Sequence, residues 1–418
     1  MNGDRRVVIT GYGAITPLGL NAEDTWDSIK AGRSGVGPIT RFDASNFAVR
    51  IAAEVKNFRT EDILNAKELR RRSYYQHLIA AAAQEVVRHS GFTVTESNRE
   101  RTSVLIGSSM GGVANWDTEI QAATRDGVLD YRRLTPMAIP MMMSNGGSDY
   151  VGLEIGARGP ATILASACAT GADNIGFAFE LIRQGRIDQA LAGGCDAVIF
   201  PVGIAAFDRT GALSRENDDP ARACRPFSLN RPGLVFGEGA AVLALEELES
   251  AKARGATIYG EIVGYAQTSD AFHITAPDPE ASGAAAAITL ALESARLTPD
   301  DIDYINAHGT GTELNDVMET RATKRALGER AWQIPMSSTK SMTGHAMAGT
   351  AAMEAIFCLQ AIRDSVAPPT INLDVPDPEC DLDYVPNTAR ELPLNTVMSN
   401  SFGFGGHNAS LIFKAFRG

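Results

Sequence analysis

The sequence predicts an α/β protein assembled from two similar halves. At 418 residues it exceeds what one hydrophobic core usually serves, so two closely packed units are expected. Buried-strand patterns recur along the chain, each followed by a glycine-rich turn and a helical stretch. Forty glycines against three tryptophans suit helices packed tightly on a sheet.

In chain order, residues 6–10 read as a buried strand entering Gly11, Tyr12 and Gly13, with Pro17 and Gly19 in the loop and Ala22, Glu23 and Asp24 opening a helix. This opening differs from a dinucleotide fingerprint. Its third glycine is misplaced, Pro17 interrupts the loop, and no acidic residue closes a second strand at the required distance. Residues 67–89 carry helical periodicity, and residues 102–106 form a strand ending in Gly107, Ser108, Ser109, Met110, Gly111 and Gly112. Beyond the methionine-rich stretch 136–143, Gly159 and Pro160 introduce a strand at 161–165. Ser166, Ala167, Cys168, Ala169, Thr170 and Gly171 then lead into a helix at 175–184. A strand at 189–192, a loop at 208–233 punctuated by arginine and proline, and a strand at 241–246 complete the first round.

The pattern then restarts. Residues 260–265 repeat the opening strand and its Gly-Tyr turn, an alanine-rich helix at 283–296 precedes a strand at 303–307, and a strand at 333–337 feeds a loop and a helix at 349–362. The last pair mirrors residues 161–184. A hinge near residues 250–256 divides the chain into halves 1–255 and 256–418.

Charge and composition exclude several classes. A net charge of -12 opposes nucleic-acid binding, which needs an excess of Lys and Arg. The charged start, residues 1–6, leaves no room for a signal peptide, so export is not expected. No apolar run reaches the ~18 residues that span a bilayer, which implies no membrane association. The five cysteines are widely spread, with no metal-binding spacing, and read as free thiols of a reducing cytoplasm with no structural metal. Lys67, Arg70, Arg71 and Arg72 form the densest basic cluster, which is either a docking patch for an acidic partner or an ordinary solvated helix face.

Cys168 stands between a strand and a helix, where unpaired N–H groups at the helix start favour a thiolate. Small neighbours leave its sulfur open to a bulky thioester. Alone, such a cysteine would read as a small buried apolar residue. It has company: three of the six histidines, His308, His345 and His407, lie in glycine-rich turns, two of them beside predicted strand or helix ends where α/β sheets gather functional groups.

Residues 167–171, 308–312, 340–345 and 400–408 resemble, in order and spacing, the signature blocks of β-ketoacyl-acyl-carrier-protein synthases, most closely the elongating type II enzymes. The likeness covers residues 7–413. It implies the thiolase fold, five layers α/β/α/β/α from two like halves with mixed sheets, and a homodimer. Activity would be decarboxylative condensation of an acyl thioester held on Cys168 with a malonyl thioester, both delivered on the phosphopantetheine of an acyl carrier protein, with no other cofactor. The resemblance makes Cys168 the nucleophile, His308 and His345 the paired histidines, Lys340 the supporting lysine and Glu319 its acidic partner. It places Thr275, Thr310 and Thr312 beside pantetheine, makes Phe404 the gate whose N–H joins that of Cys168 in the oxyanion hole, and sets Met110 and Phe207 in the acyl cavity. Lys67, Arg70 and Arg71 would receive the carrier.

Departures from the family pattern are Asp173, where a histidine is frequent, and Pro232, where Arg-Asp-Gly is usual; His407 is one of two common alternatives. A polyketide ketosynthase shares the chemistry and is the nearest rival. A non-catalytic chain-length subunit would lack Cys168. A Cys/His hydrolase would have no use for a second histidine and the lysine.

Overall fold

The computed structural model describes residues 5–418; residues 1–4, part of the charged start read above, lie outside the described residues. Among the described residues, nine strands form the main sheet: β1 (Val7–Ile15), β2 (Thr102–Gly107), β3 (Gln189–Ala197), β4 (Glu238–Glu247), β5 (Gly260–Ser269), β6 (Tyr304–Asn306), β7 (Met336–Ser337), β8 (Thr396–Gly403) and β9 (His407–Lys414). Their order is β7-β6-β8-β9-β5-β1-β4-β3-β2.

The repetition expected from the sequence is explicit in the pairing. In the first half β1 is antiparallel to β4, β4 antiparallel to β3, and β3 parallel to β2. In the second, β5 is antiparallel to β9, β9 antiparallel to β8, and β8 parallel to β6. The two sets meet where residues 7–9 pair with residues 260–262, so the two expected mixed sheets are continuous through a short seam.

Six of the helices supply the layers on this framework: α1 (Tyr74–Ser90), α2 (Gly146–Ile155), α3 (Thr170–Arg183), α4 (Ser282–Ala295), α5 (Glu313–Leu327) and α6 (Ala348–Asp364). Helices α1 and α2 pack on the strands of the first half, and α4 packs on β5 and β9 with α5 against it. Helices α3 and α6 lie between the two strand sets and touch both. The result is the five-layered α/β/α/β/α stack. Helix α6 is buried on every side over residues 348–362 because it is the middle layer, and Ile356 and Phe357 are fully buried in it. Truncating Phe357 to alanine would cost about 3–5 kcal/mol. Near Cys168 the two central helices approach so closely that a Cβ on Gly171 would stand 2.4 Å from the Ala348 carbonyl oxygen. Glycine there is a packing requirement.

Several expected elements change. Residues 161–165, expected as a strand, join no ladder: the Leu164 N–H donates to Asn174 Oδ1 (3.1 Å) and its carbonyl accepts from Asn174 Nδ2 (2.8 Å), so a side chain takes bonds a strand would have made. The counterpart in the second half, β7, does pair with β6 in parallel. The single helix expected at 67–89 is broken. A short turn, Ala66–Leu69, is capped by Asn65, and α1 starts afresh after Ser73, whose N–H donates to Gln76 Oε1 at 2.8 Å. Gly91, at φ 61°, ends it. The strand expected at 333–337 shrinks to β7 because Gly328–Gln333 winds into a 3-10 helix.

Candidate active site

The turn that carries Cys168 is short and strained. Ala167 sits at φ 51°, a left-handed conformation unusual for a residue with a side chain, within the 3-10 turn Ala167–Ala169 that opens directly into α3. Cys168 is thereby presented at the head of the central helix layer, buried among apolar neighbours. Burial pushes its thiol up to about 11, while the Lys340 charge and hydrogen bonds from the Phe404 and Cys168 N–H groups pull it down. Burial thus opposes the thiolate that the helix start favours.

Strand β6 ends at Asn306 and delivers His308, while the turn Lys340–Thr343 after β7 delivers His345. Their rings lie edge to face with centroids 5.5 Å apart. Burial first, then the Lys340 charge, and for His308 also His345, hold both well below the usual imidazole range, so both are neutral. His345 Nδ1 accepts the Met347 N–H at 3.2 Å, which places the proton on Nε2. That Nε2 and His308 Nδ1 are buried without a protein partner, so each ring keeps a free nitrogen.

Lys340 corrects the expected pairing. Its Nζ lies 2.7 Å from Glu354 Oε1 on α6, and both side chains are sealed from solvent. Glu319 instead accepts the N–H groups of His308 and Gly309, each at 2.7 Å, and so fixes the backbone under the histidine. Burial raises both acids, Glu319 to about 8 and Glu354 to about 7, against the Lys340 charge and these bonds. The sequence held a signal for Glu354: it is the only acid in the apolar run 348–362. A second missed feature is Arg231, whose buried side chain donates to the Thr312 (3.1 Å) and Glu313 (2.9 Å) carbonyls, while Asp316 accepts the Gly311 N–H at 3.2 Å. Together they fix the loop after His308.

Cys168, His308 and His345 open into one cavity of about 410 Å³. Thr310 and Thr312 lie on its wall with their hydroxyls 2.9 Å apart, and the exposed Thr275 lies at its rim. Phe404 and Phe207 also line it, their rings stacked at 6.1 Å. Pro232 joins the wall beside Arg231. Met110 packs in the apolar cluster around Cys168 but not on the cavity wall. His407 is exposed at the start of β9. Among the described residues no group of three His, Cys, Asp or Glu side chains is arranged to hold a metal ion, and no helix is long and apolar enough to cross a membrane.

The basic cluster splits. Lys67, Arg70 and Arg71 are exposed, but Arg72 is buried, paired with Glu68 (2.9 Å) and Glu154 (2.5 Å) and stacked over Tyr150.

Residues 4–251 match the family described as "Beta-ketoacyl synthase, N-terminal domain" and residues 259–374 its "C-terminal domain". The chain is 48% identical over 413 residues to "3-oxoacyl-[acyl-carrier-protein] synthase 2" of Synechocystis sp., covering 99% of each. A β-ketoacyl synthase structure from Burkholderia phymatum superposes with a TM-score of 0.90 at 39% identity, covering 99% of this chain and 100% of that one. A ketosynthase solved as a "type II PKS acyl-carrier protein in complex with its ketosynthase bound to the hexaketide" superposes with a TM-score of 0.91 at 33% identity, again over 99% and 100% of the chains.

Proposed function

The chain belongs to the β-ketoacyl synthase family, and from that premise we propose that it lengthens acyl chains by decarboxylative condensation with malonyl-acyl carrier protein in fatty acid synthesis. One observation carries the reading: Cys168 shares one cavity with two neutral imidazoles that each keep a free nitrogen.

In the first step the Cys168 sulfur attacks the acyl thioester, its proton passing to the departing carrier thiol, while the Cys168 and Phe404 N–H groups bind the oxyanion. The malonyl thioester then enters. Hydrogen bonds from His308 and His345 to its carbonyl oxygen stabilise the enolate left when the bond to CO2 breaks. That carbanion attacks the acyl carbon, and the Cys168 sulfur leaves as a thiolate that regains its proton from solvent. Since decarboxylation supplies the electron pair, no strong base is required. Thr275, Thr310 and Thr312 line the path of a pantetheine arm, Phe404 gates it, and Phe207 and Met110 flank the acyl chain.

The carrier docks on Lys67, Arg70 and Arg71, and carrier-bound substrates need no further cofactor. Two copies of the chain pair, as the family resemblance implies. The halves divide at 255/256, near the gap between the two matched family regions. The protein works in the cytoplasm. The likeness to a polyketide ketosynthase keeps that pathway as the second reading.

Mass spectrometry of products from malonyl-carrier and a ladder of acyl-carriers decides. Saturated-chain primers lengthened by two carbons, with the acyl group trapped on the Cys168 peptide, are expected. Repeated extension to a poly-ketone favours the polyketide reading, and free acid without lengthening favours hydrolysis.

A further inference from the structure

Asp173 lies one turn into α3 from Cys168 and is buried. Its carboxylate accepts a short hydrogen bond from Ser166 Oγ and a 2.8 Å bond from the Tyr265 hydroxyl. Tyr265 belongs to β5, in the other half of the molecule. Its ring reaches Asp173 by lying across Gly176, where a Cβ would stand 2.2 Å from the ring. Asp173, Gly176 and Tyr265 thus form one fitted contact on a single face of α3. Ser166 is held a second time, its N–H donating to Thr170 Oγ1 at 2.9 Å.

Ser166 directly precedes Ala167, the residue held at φ 51°. A conformation of that kind persists only where its surroundings over-determine it. The opposite side of the turn is closed by Gly403, whose Cβ would stand 2.9 Å from the Ser166 carbonyl and 3.1 Å from the Cys168 nitrogen. We propose that Asp173, braced by Tyr265, is a positioning residue that holds the Ser166–Ala167 turn and so aims the Cys168 sulfur and N–H. It touches no substrate. The proposal rests on the reading of Cys168 as nucleophile.

The full-length protein is tested with Ser166→Ala, which removes one hydroxyl, and with Asp173→Ala and Asp173→Asn. An amide can still accept from Ser166 and donate to Tyr265. We expect Ser166→Ala and Asp173→Ala to lower the rate of Cys168 acylation and kcat by ~10-fold or more, since small misplacements of reacting groups cost this much. KM for carrier-bound substrate stays within about twofold, Asp173→Asn keeps most of the activity, and the Ser166→Ala, Asp173→Ala double variant falls no further than Asp173→Ala. Ser166→Ala acylating at the wild-type rate overturns the inference, as does a loss confined to KM. Wild-type protein that elongates without acylating Cys168 overturns the underlying reading instead.

Discussion

Lys340 and Glu354 form an ion pair 2.7 Å long in the interior, 14 residues apart in sequence, and the same lysine lowers the proton affinity of Cys168, His308 and His345. One buried charge therefore serves three functional groups. Its counter-ion lies on the central helix α6, which is how the site is tied to the core.

Lys340→Met is expected to raise the Cys168 thiol further, so that alkylation by iodoacetamide at pH ~9 slows well beyond twofold. Stability suffers as well. Removing one member of a buried pair typically costs about 3–5 kcal/mol. Without the lysine, Glu354 rises beyond about 7. Its stabilising proton, fully in place below the unfolded value of 4.5, is lost as pH rises through that higher folded value. Denaturant melts at acid and alkaline pH will read this, and an unchanged alkylation rate would refute the electrostatic role.

His308→Ala and His345→Ala should each lower malonyl decarboxylation by ~10²–10³-fold, the usual effect of losing one oxyanion donor. Acylation of Cys168 stays measurable. Because both imidazoles are held neutral by burial, the decarboxylation rate of Glu354→Gln, which lacks the carboxyl raised to about 7, should show no inflection near the ordinary value of 6.5. A step there in the pH profile would mean that a charged histidine takes part.

Stability should decline on both sides of a maximum. Below 6.5 an unfolded chain takes up protons on His308 and His345 that the folded one refuses, so stability falls as pH falls. Glu319 works in the other direction: raised to about 8 from 4.5, it stabilises below 4.5 and loses that contribution as pH rises through 8. Glu319→Gln should flatten the alkaline limb of Tm against pH while leaving the acid limb in place.

Charge reversal at Arg70 and Arg71 should raise KM for carrier-bound substrate severalfold and leave KM for a free small thioester unchanged. Added salt should shrink the difference. Arg72→Glu behaves otherwise, because Arg72 is buried between Glu68 and Glu154. Its effect should appear in the melting temperature. Equal effects of the Arg70 and Arg71 reversals on both substrates would return those residues to the solvated surface.

Much of this was legible in the chain because it is written locally. The strand patterns of β1, β4 and β5 and the periodicity of α3 and α6 are properties of short windows. Glycine turns around Cys168, His308 and His345 mark the three residues that the fold gathers into one cavity. Residues 161–165 read as a strand for the same reason, and went astray because a ladder needs a partner while Asn174 satisfies part of the backbone instead. A contiguous basic run likewise said nothing of Arg72 turning inward.

By itself the sequence determined the α/β class, the repeat of one half by the other, the family, and the turns whose cysteine and two histidines meet in one cavity. Tertiary structure alone decided that Lys340 pairs with Glu354 while Glu319 serves the backbone, that the Cys168 thiol is raised, and that Asp173 reaches Tyr265 across the two halves. The reason is physical. Which residue is present is a property of the chain, whereas proton affinity and pairing depend on desolvation and on charges brought near from distant positions, and neither exists until the core has closed.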